Sequence, residues 1–201
     1  MIEKPAITDQ TISPIIAERW SGRAFDANLI ISDEQITALC EAARWAPSCF
    51  GDQPWRFMVL NKHQDHTAWQ QGLDLLAPGN QAWAKNAPLL ILAASVNTFS
   101  HNDSDNRWVA YDTGAASISL CLQATAMGLM SHQMGGFDSD KLRNNFNIPD
   151  NISLWAMIAV GYPADLDSLS ETQLERELNA RERRPLSEQF FVNTWQNSLG
   201  D

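Results

Sequence analysis

The sequence predicts an α+β protein: a small, mainly antiparallel sheet with helices around it, and a long apolar helix at its centre. Three observations carry that reading. Ile36, Leu39, Cys40 and Ala43 recur at three- and four-residue spacing, which is the period of a helix with one buried face. Leu89–Val96 is continuously apolar between Pro88 and Asn97, as in a strand covered on both sides. Trp108–Met127 contains no proline and carries apolar residues on nearly every face. Such a helix needs cover all round, from its own domain or from a second copy.

The elements follow in order. Ser13-Pro14 reads as a helix start, with Ser13 at the N-cap and Pro14 at the first helical position. Ser32 and Gln35 form a capping-box pattern ahead of the second helix, which Pro47 ends. Its periodicity places Cys40 in the core rather than in a reactive role. Trp55–Leu60 is aromatic and β-branched enough for a strand. A helix is expected over 65–76, broken by Pro78-Gly79-Asn80. Asn97–Arg107 is polar and reads as an exposed loop. Gly128 is placed to end the long helix. A short strand within Leu129–Phe137 runs past Gly135-Gly136, a short helix starts at Ser139, and Leu154–Gly161 is another apolar strand. Ser170 with Gln173 opens a charged helix to about Ala180, followed by Arg181, Arg183, Arg184 and an aromatic patch of Phe190, Phe191 and Trp195. Without repeats, linkers or low-complexity stretches, residues 1–201 are expected to form one domain.

Composition narrows the function classes. The 201 residues are 44% hydrophobic and 19% charged, which suits a globular protein with a sizeable core. A net charge of −10 argues against a nucleic-acid or anionic-membrane binder, which needs clustered excess Lys and Arg. Three cysteines, Cys40, Cys49 and Cys121, show no metal-ligand or CxxC spacing, so a reducing, cytoplasmic setting is expected and no metal. Met1–Pro5 lacks the basic-then-apolar order of a signal peptide, and no apolar run reaches the roughly 18 residues of a membrane span.

Against that acidic background, Arg19-Trp20-Ser21-Gly22-Arg23 concentrates two guanidinium groups, a hydroxyl and a flexible glycine. Arginine offers phosphate or carboxylate a flat fork of donors, and a nearby hydroxyl fills a remaining acceptor. A phosphorylated cofactor is one reading of the segment; a solvated turn is the other. The tail arginines admit the same two readings, the second being a surface run paired with Glu175, Glu177 and Glu182. Gly135-Gly136 taken alone is a turn. No Gly-x-Gly-x-x-Gly follows a strand, so there is no dinucleotide-binding fingerprint.

Taken together, Arg19-x-Ser21-x-Arg23-x-Phe25, Ala46-Pro47-Ser48-Cys49-Phe50-Gly51-Asp52-Gln53-Pro54-Trp55, Gly135-Gly136-Phe137-Asp138 and Arg181-x-Arg183-Arg184-Pro185 resemble the nitroreductase family of flavin mononucleotide (FMN) enzymes. The resemblance runs in order from about residue 13 to residue 190. It implies a homodimer with a flavin at each subunit interface, the long helix packed across it, and a tail from about 181 to 201 reaching onto the partner. It implies NADH or NADPH as hydride donor to flavin N5 and a small electrophile (nitroaromatic, quinone or enal) as acceptor, in a ping-pong scheme. Arg19, Trp20, Ser21 and Arg23 match the first flavin-contacting motif, with Arg19 and Ser21 at phosphate or ribityl oxygens and Arg23 nearer the pyrimidine edge. Arg181 and Arg183 match a late basic pair that closes on the phosphate. Pro47, Ser48, Cys49 and Gln53 match the loop that meets the partner's flavin, and Asn80 matches a ribityl- or ring-contacting asparagine. Gly135 and Gly136 occupy the place where a backbone N–H faces N5. The chain departs from common family patterns at Cys49, Gly51, Trp83 and Gly135, where Ser, Asn, a cation and Glu are frequent. Other tasks on the same fold are dehalogenation, flavin cleavage or reduction of a specific metabolite. A different class is a non-catalytic dimeric module holding a phosphate ligand.

Overall fold

The computed structural model describes residues 3–199, with Ser168 described by its backbone only. Four strands form one antiparallel sheet in the order β1-β2-β4-β3. They are β1 (Trp55–Asn61), β2 (Leu89–Val96), β3 (Met130–Met134) and β4 (Ile152–Gly161). The fully apolar β2 lies inside the sheet, between β1 and β4.

Alternation along β2 separates two cores, because successive side chains of a strand point to opposite faces. Leu89, Ile91 and Ala93 pack with Leu39 and Ala43 of α2 (Asp33–Arg44) and with Ala116, Leu120 and Ala124 of α5 (Val109–Ala126). Leu90, Leu92 and Ala94 pack with Trp69 and Leu73 of α3 (His66–Asp74) and Trp83 of α4 (Pro78–Ala84). The result is helix, sheet, helix. Each fully buried Leu, Ile or Trp stabilises it by about 1.5–3 kcal/mol relative to an exposed one.

Local signals act where they stand. Ser32 and Gln35 exchange the expected pair of hydrogen bonds, as do Ser170 and Gln173 at the start of α7 (Glu171–Leu178). Asp138 caps α6 (Ser139–Asn145) by accepting from Lys141 N. Ser13 sits at the N-cap of α1 (Pro14–Glu18), but its side chain makes no capping bond. Cys40 is half-buried, and burial pushes its thiol up.

Two details differ from expectation. Pro78 does not only break α3; it opens α4, because proline at the first helical position forfeits no hydrogen bond. Loop 97–107 buries Phe99 and Asn106. The long helix α5 is eighteen residues and is covered on one side only within the chain: Trp108 at its N-cap, Tyr111 (76% exposed) and Ile118 face outward. Among the described residues no helix is long and apolar enough to cross a membrane, and no cluster of His, Cys, Asp or Glu is placed to hold a metal.

Candidate anion-binding site

Helix α1 ends at Arg19, whose N–H still bonds Ile15 O at 3.1 Å while its backbone has left the helical region. From there the chain joins the segment that follows β4: Asp26 N donates to Tyr162 O at 2.9 Å and Ala164 N to Ala24 O at 2.8 Å. Gly22 and Ala24 are buried, whereas Ser21 is exposed and Arg19 and Arg23 are half-buried. Glycine leaves room at 22 for three side chains, since a Cβ there would lie 2.1 Å from the Met130 sulfur, 3.0 Å from Glu177 Oε1 and 3.1 Å from the Trp20 ring, and these would have to shift. The buried backbone thus presents Arg19, Ser21 and Arg23 to one cavity.

The opposite end of the chain completes it. The cavity, about 210 Å³, is lined by Arg19, Ser21 and Arg23 together with Arg176, Arg181 and Arg183, and by Lys4 and Trp20. Burial, then the charges of Arg19 and Arg183, pull the Arg181 guanidinium below its ordinary value. Among the described residues only Arg23 of these arginines forms an ion pair, with Glu177 at 3.3 Å. A concave surface with several guanidiniums that have no carboxylate partner among the described residues has the chemistry to hold an anion. A larger neighbouring cavity of about 400 Å³, walled by residues such as Ala24, Leu129, Met130 and Leu166, contains none of the arginines. Charge, not size, selects the smaller one.

Two tail residues behave differently from a surface run. Arg181 donates from Nη1 to Lys4 O and to Ala17 O (2.8 Å), and from Nη2 to Arg19 O (3.1 Å), so it ties the end of α1 in place. Glu177 does not pair with the tail arginines: it is 1% exposed and accepts from Arg23 N at 2.6 Å. Arg183 is exposed, and among the described residues it bonds only the neighbouring carbonyl of Glu182. Lys4 donates to the carbonyls of Glu177 and Asn179 and lies 4.8 Å over the Trp20 ring.

Behind the arginines stands His132, which no sequence motif marks. Its Nδ1 is 3.1 Å from Gly22 O and its ring centroid 4.5 Å from that of Trp83. Burial, outweighing the Gly22 carbonyl and joined by the charges of Arg23 and Arg19, lowers its pKa to about 4. Trp83 itself is buried and stacks on Phe25 at 6.0 Å. Through α4 it leads to Asn80, whose amide donates to Gly136 O at 3.3 Å; the same carbonyl accepts from Ala77 N at 2.8 Å. Space beside Gly136 is tight, since a methyl at that position would lie 3.1 Å from Ala77 Cβ, while Gly135 is open.

The remaining predicted residues lie apart. No hydrogen bond, ion pair or cavity among the described residues joins Pro47, Ser48, Cys49 or Gln53 to the arginines. Cys49 N donates to the buried carboxylate of Asp112 at 3.0 Å, and Gln53 N to Ser48 Oγ at 3.0 Å. Phe50, Gly51 and Gln53 all have positive φ, which is costly for the two that carry a Cβ. The Phe50 ring, 82% exposed, rests against Phe99 and His101.

Fold and site together define an α+β protein with a preformed cationic cavity built from both ends of its chain. Residues 16–162 match the nitroreductase family, and the chain belongs to it. A protein of Archaeoglobus fulgidus with the provisional name NADH dehydrogenase/NAD(P)H nitroreductase is 30% identical over 139 residues, 67% of this chain and 76% of the relative. A solved structure described as an oxidoreductase containing FMN is 33% identical, with a TM-score of 0.88 over 96% of both chains. A nitroreductase family protein from Clostridium difficile 630 is 26% identical, with a TM-score of 0.66 over 88% of this chain and 94% of the other.

Proposed function

We propose that the protein is a homodimeric, FMN-dependent oxidoreductase that uses NADH or NADPH to reduce a small electrophile such as a nitroaromatic, quinone or enal. The observation that carries this reading is the meeting of Arg19 and Arg23 with Arg181 and Arg183 around one cavity. FMN fits that donor set. Arg19, Ser21 and Arg183 offer donors for a phosphate or ribityl oxygens, with Arg181 fixing Arg19 from behind. Arg23 supplies positive charge for the pyrimidine edge. Gly136, whose carbonyl is held by Ala77 and Asn80, has an N–H that donates to nothing among the described residues and is free for a ring nitrogen. When bound, FMN supplies the hydride relay at its N5. The relatives named as an NAD(P)H nitroreductase and as an oxidoreductase containing FMN support the same assignment.

A second copy is needed on this reading for cover and for the site. Tyr111 and Ile118 of α5, together with Trp45 and Phe50, are large apolar side chains left exposed, which supports a second copy as their cover. In the tail, from about residue 181, Phe190 and Trp195 are also exposed and are assigned to the partner's surface. Pro47–Gln53 then reaches the partner's flavin, and the whole chain forms one domain. Three free cysteines agree with work in the reducing cytoplasm.

Purified protein tests this directly. It is expected to be yellow, to contain one FMN per chain, and to bleach when NADH or NADPH is mixed in without oxygen. Colourless protein that takes up no FMN removes the flavin reading; yellow protein that neither nucleotide bleaches removes the reductase reading.

A further inference from the structure

We infer that Glu177 is a positioning residue that sets how much of the Arg23 charge reaches the bound anion; this rests on the flavin reading above. Glu177 is buried on α7, while its neighbours Glu175, Arg176 and Leu178 are exposed. A carboxylate out of water is costly unless it is paired and hydrogen-bonded. Here both conditions are met by one residue: Arg23 N donates to Oε1 at 2.6 Å, and Arg23 Nη1 donates to Oε2 at 3.3 Å. The approach depends on Gly22, where a Cβ would stand 3.0 Å from Oε1. The carbonyl of the same residue accepts from Lys4 Nζ at 2.6 Å, which holds the end of α7 against the first residues of the chain.

The consequence is an asymmetry among the cationic residues of the cavity. Among the described residues Arg19, Arg181 and Arg183 have no carboxylate partner: Arg181 is turned to the carbonyls of Lys4, Ala17 and Arg19, and Arg183 to that of Glu182, so no buried negative charge offsets theirs. Arg23 has a carboxylate behind it, and one of its guanidinium nitrogens is directed there. Glu177 therefore does two separable things. As an acceptor it fixes the backbone and fork of Arg23; as a charge it reduces the positive field that an anion meets.

Glu177→Gln removes the charge while keeping the volume and, with its one amide oxygen, the acceptor for Arg23 N; its NH2 group gives up the longer bond from Arg23 Nη1. One unit charge several ångströms away in a partly solvated site changes anion affinity roughly tenfold. The expected result for E177Q is a dissociation constant for FMN lowered roughly tenfold, and a midpoint potential of bound flavin shifted positive, since reduced flavin carries the additional negative charge. Its melting temperature should fall modestly, because one buried hydrogen bond to Arg23 is lost. A potential that stays in place or moves negative in E177Q overturns the inference, because a structural role alone does not raise it. Glu177→Asp provides an independent arm should E177Q fail to fold. It keeps the charge but draws the oxygens back from Arg23, so FMN should bind more weakly with the potential unchanged; a positive shift in E177D overturns the inference equally. Wild-type protein that takes up no FMN overturns the functional reading itself and this inference with it.

Discussion

The segment Arg19–Ala24 and the loop Pro47–Gln53 are both read from sequence as flavin-contacting, yet they are built in opposite ways. The first has a buried backbone, fastened to the chain after β4 and to His132, and displays its polar side chains toward a cavity completed within the same chain. The second has a backbone in sparsely populated conformations, anchored by Asp112 and Ser48, and turns its largest side chain outward. A segment that finishes its site inside one chain can be packed like core. The loop instead leaves Phe50 exposed and is held by a few polar anchors, from Asp112 to Cys49 N and from Asp52 to Ser100, the form a segment offered to a second chain would need on the proposed reading.

Substitutions can break that contrast. The largest effect is expected at Gly22, where alanine would place a methyl into the Met130 sulfur; overpacking of this kind costs about 3 kcal/mol, to be read as a lowered midpoint in urea. His132 comes next. Its pKa in the folded chain is about 4, below the 6.5 of an unfolded one, so the neutral ring stabilises the fold above 6.5 and that stabilisation is lost as pH falls toward 4. Between about pH 7.5 and about pH 5 the wild type should lose about 2 kcal/mol more than His132→Asn, measured by urea unfolding at both values. In the loop, Asp112→Ala strands the Cys49 N–H and should cost about 1.5 kcal/mol, with faster hydrogen exchange at that amide. The smallest effect belongs to Gly51→Ala. Nothing lies within 4 Å of its would-be Cβ, and only the positive φ is penalised, by about 1 kcal/mol in thermal melts. Equal costs at Gly22 and Gly51 would erase the distinction between the two segments.

The architecture is largely legible because its signals are local. Both capping boxes, the strand pattern of β2 and the extent of α5 follow from spacing that a single helix or strand can express. Helix α4 escapes such reading because Pro78-Gly79-Asn80 has the composition of a breaker, and only tertiary packing of Trp83 decides that a helix follows. In the site, Arg19, Trp20, Ser21, Arg23, Arg181 and Arg183 can be named from sequence, but not Lys4 and Arg176, which also line the cavity, nor the residues that hold them. Glu177 resembles any glutamate on a polar helix, and His132 carries no motif; their roles arise from contacts with residues more than a hundred positions away. Arg181 illustrates the same limit. It is recognisable as one of a basic pair, while its attachment to the carbonyls of Ala17 and Arg19 depends on how the chain ends meet.

The central claim is that guanidiniums from both ends of the chain form one FMN-phosphate site. The most direct measurement is titration of flavin-free protein with FMN, comparing wild type with Arg19→Ala/Arg183→Ala. Each charge-assisted contact contributes about 1.5–3 kcal/mol, so the double variant should bind FMN at least a hundredfold more weakly while its melting curve and oligomeric state stay as in the wild type. An unchanged affinity in a folded double variant would contradict the claim.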